Sequence, residues 1–65
     1  MIAVHKLNGK EFVINCEQIK YIEATPDTLI TLMDNDKIMI KDSVQSVIEA
    51  AIQYKKEIYS FAKPQ

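Results

Sequence analysis

The side chains of this sequence that could carry chemistry are one histidine, one cysteine and three serines. His5 could act as a base, but nothing in the spacing sets Ser46 or Ser60 against it as a nucleophile. Ser43 has the position of a helix cap instead. Cys16 has no basic neighbour and no second cysteine that would make it reactive, which predicts a small, partly buried side chain. The sequence therefore predicts no enzyme active site.

Metal and cofactor binding are not expected either. One histidine and one cysteine cannot supply the paired ligands of a zinc site. Asp34-Asn35-Asp36 resembles the start of a calcium-binding loop. Such a loop needs glycine at its sixth position and glutamate at its twelfth, where this sequence has Met39 and Gln45. We expect a turn at this position, no cofactor and no small-molecule substrate.

Length and charge limit the remaining classes of protein. The chain has 65 residues and a net charge of −1, which argues against a nucleic-acid binder. It has no apolar run of the roughly 20 residues that span a bilayer, and no export leader is recognisable. These features predict one cytoplasmic, non-membrane-spanning domain over residues 1–65. A core of this size supplies only about 3–5 kcal/mol, so self-association would be a natural source of further stability.

The elements that must position these residues begin with a hairpin. The only glycine, Gly9, follows Asn8 between apolar runs at residues 2–7 and 12–14. A type I′ turn needs φ > 0 at both central residues, and Asn-Gly meets this need with the least strain. The pattern predicts a β-hairpin with a type I′ turn at Asn8-Gly9.

Three further strands and one helix are predicted after this hairpin. Asn15 can cap a short helical turn, and residues 19–25, 28–33 and 37–41 have strand patterns separated by turns. Asp42 or Ser43 begins a helix that reaches about residue 62. The prediction is an α+β fold, in which a small, bent, half-barrel-like antiparallel sheet of about five strands within residues 2–41 precedes one long helix over about 43–62.

The predicted helix is too apolar for its own sheet. Its apolar residues cover an arc of roughly 200°, while a helix on one sheet needs about 100°. It is also roughly 28 Å long, against about 17 Å for a five-residue strand. We expect a homo-oligomer whose interface includes the second half of the helix and the lysine within its apolar arc: Tyr54, Lys55, Ile58, Tyr59, Phe61 and Ala62.

The order of these motifs resembles the FlbD/SwrD family of small bacterial flagellar proteins over residues 1 to about 58. The resemblance depends on LNGKEFVIN at residues 7–15, then Ile22-Glu23, and then TPDT at residues 25–28. The sequence departs from the family at residues 34–37, where a glycine-containing turn is common.

The resemblance implies a non-enzymatic accessory protein of flagellar motility. Such a protein supports swarming and raises flagellar motor power through the stator, as an adaptor that could lie at the periphery of the motor. Its implied partner is a stator or motor protein. The two demanding turns are the candidate partner-binding residues: Asn8, Gly9, Thr25, Pro26 and Asp27.

A second resemblance leaves an alternative open. Residues 14–51 look like the core of a LytTR-type DNA-binding domain, in which short strands precede a serine-capped helix. LytTR domains are longer and carry basic loops that face DNA, whereas Lys55-Lys56 is the only lysine-rich stretch here. The alternative function is a LytTR-like DNA-binding or regulatory module.

Overall fold

The computed structural model describes the backbone of residues 1–62 and the side chains as far as Tyr59. It confirms the α+β class, with short strands followed by one long helix. The elements, in chain order, are β1 (Ile2–His5), β2 (Glu11–Ile14), a 3-10 turn (Cys16–Gln18), β3 (Ile19–Ala24), β4 (Thr28–Leu32), β5 (Lys37–Ile40) and α1 (Val44–Ala62).

The strands form two antiparallel sheets, so the prediction of one five-stranded sheet was wrong. β1 pairs with β2, and β3, β4 and β5 form a separate sheet in that order. A single bridge between Lys6 and Ile40 joins the two sheets. After Lys6 the chain turns into the hairpin loop at Leu7, and after Ile40 it continues toward the helix. The pairing between the two sheets therefore does not extend beyond this bridge.

The core lies between the inner faces of the two sheets and the helix. The helix packs mainly on β1 and β3. Val47 is the helix residue that enters the core, and it is 1% exposed. Half-buried side chains, including Phe12 and Tyr54, pack around the core. The buried apolar residues are Ile2, Val4, Ile14, Cys16, Ile30, Ile40 and Val47.

The first hairpin has a three-residue loop and not the predicted type I′ turn. Lys6 N–H donates to the Lys10 carbonyl at 2.9 Å, and Gly9 N–H donates to the Lys6 carbonyl at 2.8 Å. Gly9 has φ +89°, but Asn8 does not have a positive φ. Asn8 Oδ1 instead accepts a hydrogen bond from Lys10 N–H at 2.9 Å. This is the common three-residue loop whose last residue is left-handed.

The β4–β5 hairpin repeats the same loop without a glycine. Leu32 N–H donates to the Asp36 carbonyl, and Asn35 N–H donates to the Leu32 carbonyl, both at 2.8 Å. Asp34 Oδ1 accepts from Asp36 N–H at 3.0 Å, as Asn8 does for Lys10. Asn35 has φ +73° and occupies the position that Gly9 has in the first loop. Asparagine tolerates this conformation, so the loop forms here without a glycine.

Side chains cap both helical elements. Ser43 Oγ accepts a hydrogen bond from Ser46 N–H at 3.1 Å, which makes Ser43 the cap of α1. Asn15 Oδ1 accepts from Glu17 N–H at 3.0 Å at the start of the 3-10 turn, as predicted. The predicted turn before β4 is also present, and it is closed by a hydrogen bond from Thr25 N–H to the Asp27 carbonyl at 2.8 Å.

We expect Gly9→Val to destabilise the protein. A β-branched residue at φ +89° costs about 1–3 kcal/mol, although a Cβ at this position would meet no other atom within 4 Å. In a domain of this size that loss lowers the melting temperature by several degrees. Gly9→Asn is the matched control, because asparagine already holds this conformation at Asn35. Equal melting curves for Gly9→Val and the unchanged protein would contradict the left-handed loop.

Candidate functional site

The single histidine is held by an aspartate that lies 37 residues away. Asp42 Oδ1 accepts a hydrogen bond from His5 N–H at 2.6 Å, and Asp42 Oδ2 lies 3.1 Å from His5 Nδ1. Lys41 N–H donates to the His5 carbonyl at 2.8 Å. The structure thus gives Asp42 a role that the sequence analysis missed, since Asp42 was considered there only as a helix cap. We call this arrangement the His5–Asp42 clamp.

The clamp has the two residues of a catalytic base but no nucleophile. On its other side, His5 Nε2 lies 3.8 Å from Glu11 Oε1, a carboxylate that cannot be activated by loss of a proton. The Ser43 hydroxyl is occupied as the cap of α1. Within the described residues, the geometry is that of a structural tie between β1 and the segment after β5.

Burial and hydrogen bonding act in opposite directions on the pKa of Asp42, and the net result is a lowered pKa. Desolvation is the largest single effect and raises the pKa, because burial disfavours the charged form. The His5 ring, the His5 backbone N–H and the backbone N–H of Asp42 itself stabilise the carboxylate and outweigh that effect. The folded protein therefore holds Asp42 ionised more firmly than the unfolded chain does.

Other chemical sites are not formed by the described residues. Cys16 is a free, buried thiol in the core, which agrees with its predicted structural role. Residues 1–62 contain no cluster of three or more His, Cys, Asp or Glu side chains that could hold a metal ion. In the same part of the chain, no helix is both long enough and apolar enough to cross a membrane.

One exposed apolar surface runs along the helix. Ile48 is 39% exposed, Ile52 is 50% exposed and Tyr59 is 72% exposed. Together with Lys55 they follow the spacing i, i+4, i+7 and i+11, which places them on one stripe. A shallow groove runs between this stripe and the half-buried side chains of Ile19 and Ile22. We call the exposed stripe the helix strip, formed by Ile48, Ile52, Lys55, Lys56 and Tyr59.

A second surface lies where the two sheets separate. It is an open groove of about 700 Å³ between the first hairpin and the start of β5. Leu7 and Met39 are 49% and 42% exposed, and Phe12 and Ile38 are half-buried beside them. We call this surface the hairpin groove, lined by Lys6, Leu7, Asn8, Phe12, Lys37, Ile38 and Met39.

A comparison with known protein families shows which family the chain belongs to. Residues 1–59 match FlbD, a family described as flagellar and swarming motility proteins. The chain belongs to the FlbD family. No curated protein and no solved structure gives a significant match. The resemblance found in the sequence is thereby confirmed, and the family places this chain among motility-related proteins.

The predicted partner-binding turns of this FlbD chain do not form one site. Asn8 lines the hairpin groove beside the Lys37 end of β5. The Thr25-Pro26-Asp27 turn precedes Thr28, which pairs with Ile40 at the other end of β5. Gly9 shapes its loop through its backbone. The FlbD motifs at these two turns therefore have separate positions on the sheets.

The predicted oligomer residues have different positions on the helix. Tyr54 packs against the chain's own core, whereas Ile58 is 46% exposed. Lys55 Nζ lies 3.8 Å from Glu17 Oε2 of the same chain, in an exposed ion pair of little energetic value. The side chains of Phe61 and Ala62 lie outside the described residues. Ile48 and Ile52 were not among the predicted residues, although their spacing to Tyr59 places them on the same exposed stripe.

We expect removal of the Asp42 carboxylate to loosen the join between the two sheets. Asp42→Ala leaves the His5 N–H without its acceptor and lowers the free energy of unfolding by about 1–3 kcal/mol. Asp42→Asn keeps an acceptor and loses less. Urea unfolding at neutral pH measures both, with Glu23→Gln on the exposed face of β3 as the control.

The clamp also predicts how stability depends on pH. The pKa of Asp42 is lower in the folded than in the unfolded protein, so its contribution is fully present above about pH 4. It disappears as the pH falls through the folded-state pKa. The stability difference between the unchanged protein and Asp42→Asn should therefore shrink on acidification below pH 4. A difference that stayed constant would show that the charge of Asp42 does not contribute to the free energy of unfolding.

Proposed function

We propose that this FlbD-family chain is a non-enzymatic adaptor that raises the output of the flagellar motor. In this role it acts in the cytoplasm, binds a stator or motor protein and supports swarming. The match to a flagellar and swarming motility family over residues 1–59 is the observation that carries the proposal. The stator is the partner that the resemblance to the FlbD/SwrD family implies.

An adaptor role fits the kind of surface that the described residues present. A soluble monomer rarely exposes contiguous apolar surface without a partner for it. This small chain exposes apolar side chains both on the helix strip and in the hairpin groove. The side chains that could carry chemistry have structural roles instead: His5 is bound by Asp42, Ser43 caps the helix and Cys16 is buried in the core. Binding is therefore better supported than catalysis.

The LytTR-like alternative has less support. The matched family consists of motility proteins. Of the Lys55-Lys56 pair, Lys55 is turned toward Glu17 of its own chain, which leaves less free positive charge for phosphate. No observation on the described residues favours DNA binding over the adaptor role.

Deletion and complementation in the source bacterium test the adaptor role. We expect cells without the gene to assemble normal flagella but to lose swarming, and their motors to give lower torque on an attached bead. Reintroduction of the unchanged gene should restore both. Loss of the flagella themselves, or full torque without the protein, would contradict an effect on motor output.

Photo-crosslinking in motile cells tests the direct contact. A crosslinking amino acid at Asn8 or Asp27 should capture a stator or motor protein. The same residue at Gln53, on the polar face of the helix, is the control. Capture from Gln53 alone would move the partner surface away from the two turns.

We further propose that the adaptor self-associates through the helix strip. The chain exposes 4825 Å², whereas a folded monomer of 7.5 kDa exposes about 4250 Å². Its radius of gyration is 12.7 Å, against about 10.7 Å for a compact domain of this length. The excess of roughly 575 Å² is about 70% of the roughly 800 Å² that each partner buries in a standard interface. A second copy packed on the strip would cover this surface.

We expect Ile52→Asp, within the helix strip, to dissociate the assembly. The change places a charge on a half-exposed apolar residue, where it would have to be desolvated in an interface. Val13→Asp, on an exposed apolar residue of β2, is the matched control. Sedimentation velocity over a wide concentration range measures the association. A folded monomer at high micromolar concentration would refute self-association.

A further inference from the structure

The hairpin groove contains a strand edge that has no partner. β1 meets β5 only at the bridge between Lys6 and Ile40, and the chain then turns away at Leu7. Lys41 N–H donates to the His5 carbonyl, so the odd-numbered residues of β5 direct their backbone groups away from β4. Both backbone groups of Lys37 and the N–H of Met39 therefore face the groove, and within the described residues no strand pairs with Lys37 on that side.

The side chains around this edge combine apolar and positive surface. Phe12 and Ile38 are half-buried at the edge of the core, and Lys6 Nζ lies 5.7 Å from the centre of the Phe12 ring. Lys37 is exposed at the other end of the groove. Among the basic side chains that the structure describes, only His5 and Lys55 form ion pairs. Both groove lysines, Lys6 and Lys37, therefore lack a carboxylate partner. Among the side chains that the structure describes, none that lines the groove is acidic.

We propose that the hairpin groove binds an extended, acidic segment of a partner protein. The backbone of that segment would add to the edge of β5, and every second side chain would face Phe12 and Ile38. Its carboxylates would pair with Lys6 and Lys37. This inference rests on the proposed adaptor function and deepens it, because it names the chemistry by which the partner is recognised.

The apolar surface favours a peptide over a phosphate-bearing ligand. A phosphate backbone needs positive charge along its length, whereas this groove offers two lysines around a largely apolar lining. A groove of about 700 Å³ can hold several side chains of an extended segment. The strand edge adds hydrogen bonds that a nucleic acid cannot match in register.

The first test is an NMR titration of the full chain with a synthetic seven-residue peptide in which glutamate alternates with valine. We expect saturating shifts at the signals of Leu7, Phe12, Ile38 and Met39. A matched peptide with lysine in place of glutamate should bind at least tenfold more weakly. Equal shifts from both peptides, or shifts confined to the helix strip, would overturn the proposal.

Charge-reversal variants and an oligonucleotide sharpen this test. Lys6→Glu and Lys37→Glu should each weaken binding of the acidic peptide at least fivefold. Lys20→Glu, on the exposed edge strand β3, should leave the affinity unchanged and shows the effect of net charge alone. Single-stranded oligothymidine should shift the groove signals far less than the peptide does. Comparable binding of the oligonucleotide would mean that the groove selects negative charge only.

A cell experiment separates this inference from the proposed function. Lys37→Glu should abolish complementation of swarming at normal protein level, whereas Lys20→Glu should complement fully. If Lys37→Glu swarms normally while deletion of the gene does not, the groove proposal fails and the adaptor function stands. If deletion itself leaves swarming and torque unchanged, the proposed function fails, whatever the groove binds.

Discussion

The fold depends on one short crossing between the first hairpin and the end of β5. Within the described residues, the Lys6–Ile40 bridge is the only strand pairing there, and a continued ladder would offer His5 N–H a backbone carbonyl. Asp42 supplies a carboxylate oxygen at 2.6 Å instead. The next residue, Ser43, caps the helix. Two sheets and a helix are thus joined within residues 40–43. The hairpin groove exists because strand pairing does not continue from the Lys6–Ile40 bridge toward Lys37.

The loops show which part of the fold the sequence could predict. The positive φ of Gly9 follows from its type, but Asn-Gly is compatible with two-residue and three-residue loops alike. The alternation of apolar residues decides between them. The apolar residues of both strands have even numbers: Ile2, Val4, Phe12 and Ile14. Residues paired across two strands lie on the same face, so each core-facing residue must pair with another even-numbered one. This is possible only if the loop between the strands has an odd number of residues, as the pairing of Val4 with Phe12 shows.

The helix shows where prediction from sequence ends. Its apolar arc is wide, and several of its side chains are exposed, but periodicity does not say which part of the arc the sheet covers. In the structure the arc divides into two stripes. Val47, Ala51 and Tyr54 face the core, while Ile48, Ile52 and Tyr59 remain exposed. The division is set by the approach of the helix to β1 and β3, a tertiary contact that the local sequence does not encode.

The two proposed binding surfaces share no lining residue, so both can be occupied on the same chain. An oligomer joined through the helix strip would then carry one free hairpin groove for each copy. A groove this open and this short binds a single segment weakly. Several grooves held at a fixed spacing bind a repeated partner far more tightly, because every binding event after the first is intramolecular.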